Sequence, residues 1–89
     1  PRFSLMPVES LALVLRVLEF GAVKHKEFGW LEYDKRTYFD ACHRHLMAWQ
    51  GGVVTDDESG LPHLAHAATN ILFALALELR GNDGRNETR

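Results

Sequence analysis

From Val8 to Ala22 apolar residues return every three or four positions: Val8, Leu11, Leu15, Leu18 and Ala22 share one stripe of a helix. Leu13, Val14, Val17 and Phe20 cover most of the remaining surface, and Glu9, Arg16 and Glu19 leave only a narrow polar strip. The pattern predicts a helix from about Pro7 to Val23, with proline in a first turn where its missing N–H costs nothing. A helix apolar nearly all round is buried on more than one side, and in a short chain a second copy is the natural cover.

Gly21 is read as the start of a break, and GAVKHKEFGWLEYDKR as an irregular connection that turns at Gly29. Asp34 is a suitable N-cap for a second helix ending near Gln50, before Gly51–Gly52. Tyr38, Ala41, Cys42, Leu46 and Trp49 mark its core face, with His45 inside that stripe and Asp40, Arg44 and Met47 beside it. The loop VVTDDESG leads to a third helix from about Pro62 to Arg80, stopped by Gly81. Between Leu64 and Leu77 its only polar residues are His66, Thr69 and Asn70.

No segment alternates at period two long enough for a strand. The expected fold is therefore all-α: one small three-helix domain over residues 1–80, a bundle completed by homo-oligomerisation, with 81–89 as a disordered polar tail. Eighty-nine residues supply a core worth only a few kcal/mol, and the lone Cys42 cannot form an internal disulfide. The thiol reads as a small buried hydrophobe in a reducing compartment. A net charge of −2 argues against a nucleic-acid partner, and no apolar run is long enough to cross a membrane. PRFSLMPVES lacks the order of a signal peptide and does not begin with methionine, as expected of a cytoplasmic chain that starts inside a longer sequence.

The chemistry gathers in a few places. His63, His66 and Asn70 stand at i, i+3 and i+7, one above another on the third helix. Two imidazoles a turn apart can ligate one metal, with Glu58 or Asp40 completing the set if the fold brings them near. The plainer reading makes His66 and Asn70 partnered polar groups between helices, with His63 capping the helix entrance. Asp56, Asp57, Glu58 and Ser59 precede the third helix, where acids and a Ser cap suit its unpaired N–H groups. Arg44 offers a planar fork for phosphate, or pairs with Asp40 one turn earlier. His45, on the apolar stripe, needs a partner on another helix, and His63, His66 and Asn70 are the candidates. Lys24, His25 and Lys26 precede the aromatics Phe28, Trp30 and Tyr33, a mixture that suits phosphates and a base or a solvated charge cluster beside an apolar anchor.

PRF, FGAVKHKEFGW, YFDACHRHLMAWQGG and DDESGLPHLAHAATNILFAL occur in an order and spacing that resembles the phage-associated dATP/dGTP diphosphohydrolase-like domain, over residues 1 to about 79. That family is placed near the all-α NTP pyrophosphatases, which assemble through apolar helices. The resemblance implies functional roles for Lys24, Trp30, Arg44, His45, Glu58, Ser59, His63, His66 and Asn70. His25 stands where the family usually has a tyrosine. The pyrophosphatases typically hold Mg²⁺ with paired carboxylates on facing helices. Here those helices carry Asp40, His43 and Arg44, then His63, His66 and Asn70. Imidazole and guanidinium suit direct phosphate binding, or a borderline metal such as Mn²⁺, better than a two-Mg²⁺ centre.

Two functions follow as expectations. In the first, a metal-dependent enzyme in the cytoplasm of an infected bacterial host cleaves a purine deoxynucleoside triphosphate to monophosphate and pyrophosphate. His63, His66, Glu58 and Asp40 would hold Mg²⁺ or Mn²⁺, with Glu58 and His66 catalytic. Lys24 and Arg44 would steady the phosphates, Trp30 or Tyr33 would stack on the base, and His45, Ser59 and Asn70 would complete the nucleotide contacts. In the second, the same groups form an anti-defence sponge that binds host signalling nucleotides, cyclic dinucleotides or ADP-ribose derivatives, without cleaving them.

Overall fold

The computed structural model describes residues 1–81, so the tail assigned to 81–89 lies beyond Gly81 outside the described residues. A short 3-10 turn at Phe3–Leu5 leads into helix α1 (Val8–Lys24), a second 3-10 turn at Gly29–Glu32 precedes α2 (Lys35–Gln50), and α3 runs over His63–Arg80. No strand is present among the described residues, and the expected all-α, three-helix class holds.

The helix ends follow local chemistry. Asp34 caps α2, its carboxylate accepting the Arg36 N–H at 3.3 Å. Gly81 closes α3 in a left-handed conformation, φ 65°, in which only glycine is unstrained. Gly21 does not break α1. The helix continues through it to Lys24, one residue past the expected Val23, and the Gly21 carbonyl accepts the His25 N–H at 2.9 Å.

Helices α2 and α3 pair antiparallel. Lys35 approaches Glu78 (3.8 Å), the Tyr38 ring meets Phe73 (centroids 4.9 Å apart), and the His45 ring lies on His66 (4.5 Å). α1 packs on the first half of α3, where Val17, Leu61 and Ala65 form the core cluster under Leu13 and Phe20. On α1 the burial falls beside the stripe: Val14 and Val17 are buried, Leu18 and Ala22 of the stripe are half-buried, and its members Val8, Leu11 and Leu15 are exposed. A stripe and its flanks are equally apolar in this helix, so periodicity alone could not choose between them. On α2, Cys42 is buried as expected, but Leu46 and Trp49 are half-exposed. The domain leaves Ile71, Leu72, Leu75 and Leu79 of α3 largely in water, and Leu77 and Thr69 are the largest fully buried side chains among the described residues.

Candidate functional site

The loop 51–62 does not cap α3. The N-cap is Pro62, which offers no side-chain bond, and the first turn holds no acid. Instead the loop folds back on itself. Asp56 N–H donates to the Leu61 carbonyl at 2.9 Å, His63 N–H to Val54 at 2.8 Å, and Gly60 N–H to Asp56 at 2.8 Å, with Gly60 left-handed at φ 73°. This closure turns the side chains of Asp56 and Ser59 toward α3. The cap expectation for DDESG is corrected, and the reason is that Leu61 and Pro62 intervene between the acids and the first helical turn.

Ser59 is the centre of the arrangement. Its N–H and hydroxyl both donate to Asp56 Oδ2, at 2.9 and 3.0 Å, its Oγ accepts the Leu61 N–H at 3.1 Å, and His66 Nε2 lies 2.6 Å away. Burial pushes the Asp56 carboxyl upward, but the two Ser59 bonds and the neighbouring His66 and His45 outweigh it and hold Asp56 below its ordinary value. An ionised Asp56 claims the single Ser59 hydroxyl proton. His66 Nε2 must then carry its own proton and donate it to Ser59, which leaves Nδ1 as the acceptor of the neutral ring. Burial, with His63 and Lys24, lowers the His66 pKa against the pull of Asp56 and Glu58. Burial, then His66 and His63, lowers that of His45, so both rings stay neutral at neutral pH.

The partner sought for His45 is found twice. Its Nδ1 lies 2.8 Å from His63 Nδ1, and its ring stacks on His66 with planes 10° apart. His45, His63 and Asp56 each bring a potential ligand atom within 4.8 Å of the others. Neither Asp40, exposed on α2, nor Glu58 joins this group among the described residues. Two imidazoles and a carboxylate fit a borderline divalent ion such as Zn²⁺ or Mn²⁺, whereas Mg²⁺ prefers oxygens alone. Sequence reasoning missed Asp56 as a group of this cluster. The signal was there in D-x-x-S-G, an Asx-turn pattern in which aspartate accepts from a residue further along its own loop.

Beside this cluster runs a groove of about 560 Å³ between the end of α1, the 26–33 segment, α2 and α3. Lys24, Lys26 and Arg44 bring positive charge to it, Phe28, Trp30, Tyr33, Tyr38 and Phe73 bring rings, and His45, His66 and Asn70 bring polar atoms. Arg44 is exposed and the alternative pairing with Asp40 does not form among the described residues. Lys24 is engaged by Glu58 at 2.6 Å. Asn70 donates to the His66 carbonyl at 2.8 Å, which keeps its other amide atom available to the groove. Trp30 stacks on Phe73, and its carbonyl accepts the Tyr38 hydroxyl at 2.9 Å. Burial, then Tyr33, pushes the Tyr38 pKa up to about 12, so this phenol remains a donor throughout the physiological range. His63, Asp56, Ser59 and Asp40 are not among the residues lining the groove. The fold therefore brings together Lys24, Arg44, His45, His66, Glu58 and Asn70 around one opening and leaves His63 and Ser59 off its lining.

The family profile described as "dATP/dGTP diphosphohydrolase, N-terminal" matches residues 1–87. A protein of Salmonella phage PMBT28 named "dATP/dGTP diphosphohydrolase" is 37% identical over 60 residues, which are 67% of this chain and 21% of that relative. The match thus spans about one fifth of the relative's length. No solved structure matches the chain.

Proposed function

The chain belongs to the dATP/dGTP diphosphohydrolase N-terminal family, and from that premise we propose that its groove binds a purine deoxynucleoside triphosphate. The observation that carries this reading is the meeting of cations and rings on one opening: Lys24, Lys26 and Arg44 with Tyr33, Tyr38 and Phe28. A triphosphate needs charge-assisted donors along its oxygens, and the Arg44 fork supplies two at fixed spacing. A purine needs a flat apolar face. Tyr33 and Phe28 are exposed and offer one, while Trp30 is already occupied by Phe73.

The reaction assigned to the groove is cleavage to deoxynucleoside monophosphate and pyrophosphate. Neutral His66, with Nδ1 as its acceptor, would take a proton from an attacking water, and Ser59 and Asp56 hold its tautomer. Glu58 would orient that water once a phosphate draws Lys24 away. A divalent ion, when bound, would neutralise phosphate charge and lower the pKa of water. The exposed apolar faces of α1 and α3 fit association with a second copy of this chain.

A second reading has its own support. The acids lining the groove are Glu27 and Glu58, and Glu58 is engaged by Lys24. Such a groove suits holding a nucleotide intact, as a phage sponge for cyclic dinucleotides or ADP-ribose derivatives would. The experiment is one incubation with Mg²⁺ or Mn²⁺ and a mixed panel of dATP, dGTP, cyclic dinucleotides and ADP-ribose derivatives, followed by mass spectrometry of the free and protein-bound fractions. Monophosphate and pyrophosphate in solution establish hydrolysis. An intact nucleotide released only on denaturation establishes sequestration, and the absence of both removes the nucleotide reading.

A further inference from the structure

His45 lies on α2, Asp56 in the loop 51–62 and His63 at the first position of α3, so one small cluster joins three parts of the chain. The two imidazoles meet Nδ1 to Nδ1 at 2.8 Å, the spacing of a pair sharing one proton. Two nitrogens bound to one tetrahedral ion at about 2.0–2.1 Å stand roughly 3.3 Å apart, so the rings need to part by about half an ångström. Asp56 is prepared on the other side. Both Ser59 bonds fall on Oδ2, so Oδ1 accepts neither. Hydrogen bonds that orient a carboxylate without using all its lone pairs are a regular support for a ligand. His66 keeps its Nε2 on Ser59 and stacks flat on His45, which fixes the plane of that ring.

We propose that His45, Asp56 and His63 form a site for a borderline divalent transition metal of the Zn²⁺, Co²⁺ or Mn²⁺ class, which clamps the loop 51–62 to the α2–α3 pair. Mixed nitrogen and oxygen donors select this class over Ca²⁺ and Mg²⁺. A domain with so thin a core and no disulfide gains most from such a clamp, because ion binding favours the folded state alone. The ligand set differs from His63, His66, Glu58 and Asp40: His66 is committed to Ser59, Glu58 is paired with Lys24, and Asp40 stands apart. The site does not depend on the nucleotide reading, and its test contains no nucleotide, so either can fail without the other.

The chain, freed of metal by a chelator, is titrated with Co²⁺ and then with Zn²⁺. The expected result is one ion per chain, a visible Co²⁺ absorption of the low-coordinate type that Zn²⁺ abolishes, and a thermal midpoint raised by several degrees. Asp56→Asn should weaken Co²⁺ binding at least tenfold, and Asp40→Asn should leave it unchanged. Wild-type imidazole resonances give an answer even if Asp56→Asn does not fold. Zn²⁺ should shift those of His45 and His63 and spare those of His25 and His43. A folded chain that takes up neither ion stoichiometrically, or Zn²⁺ shifts confined to His25 or His43, overturns the site.

Discussion

The indole of Trp30 lies flat on the ring of Phe73, centroids 5.0 Å apart and planes 11° apart, with the Arg80 guanidinium 5.3 Å from the indole centre. This places Trp30 in the packing between the 3-10 turn and α3. A ring so engaged cannot also offer that face to a base. Trp30→Phe is therefore expected to keep nucleotide affinity within about threefold. Tyr33→Ala should lose about 1–2 kcal/mol of it, roughly tenfold, since base stacking contributes on that order. Equilibrium titration with dATP and dGTP checks both, and a larger loss in Trp30→Phe would return the stacking role to Trp30.

The Lys24–Glu58 pair, 2.6 Å apart, has both side chains substantially exposed. Such pairs add about 0–1 kcal/mol to stability. Glu58→Gln should leave the thermal midpoint nearly unchanged while releasing Lys24 for phosphate, so triphosphate affinity at low salt should rise a few-fold. Turnover should fall by at least a hundredfold if Glu58 orients water. Tighter binding with unchanged turnover would remove Glu58 from the chemistry.

Much of this could be read in the chain and some could not. Asp34, Gly51 and Gly81 mark helix ends by backbone chemistry that acts within a turn, and those boundaries fall within a residue or two of expectation. The need of His45 for a partner on α3 was legible because a polar group on an apolar stripe must be satisfied. Which stripe of α1 faces inward was not, since Val14 and Val17 differ from Leu11 and Leu15 only in where α3 happens to lie. Likewise Asp56 read as a helix-start acid because its role depends on a loop closure made by Leu61 and Gly60 backbone atoms.

Ser59→Ala removes one donor and one acceptor at once, and should cost about 1–2 kcal/mol in urea unfolding. It should also change the acid limb. Asp56 sits below its ordinary pKa, so the stability it confers is present above that ordinary value and is lost as pH falls through the lower, folded value. Without the Ser59 hydroxyl the folded value rises toward the unfolded one, and the wild-type advantage over the variant should narrow as pH drops through the carboxylate range. Parallel pH–stability curves would show that the hydroxyl does not tune Asp56.

Ala68, Leu72, Leu75 and Leu79 are exposed on α3 at intervals of four, three and four residues, the seam of a helix awaiting another. Sedimentation should show a dimer or larger assembly, and Leu75→Glu should convert it to a monomer of unchanged helicity. A wild-type chain monomeric at high micromolar concentration would refute self-association.

Phe28 lines the groove with φ 59° and ψ 15°, a left-handed backbone, and the residue is 68% exposed. A non-glycine residue there carries about 1–2 kcal/mol of strain with little packing in return. Phe28→Gly should accordingly raise the thermal midpoint while weakening nucleotide capture. A screen for heat resistance alone would discard this aromatic early, and a screen for ligand retention would keep it. Position 28 is thus where durability and usefulness pull the same side chain in opposite directions.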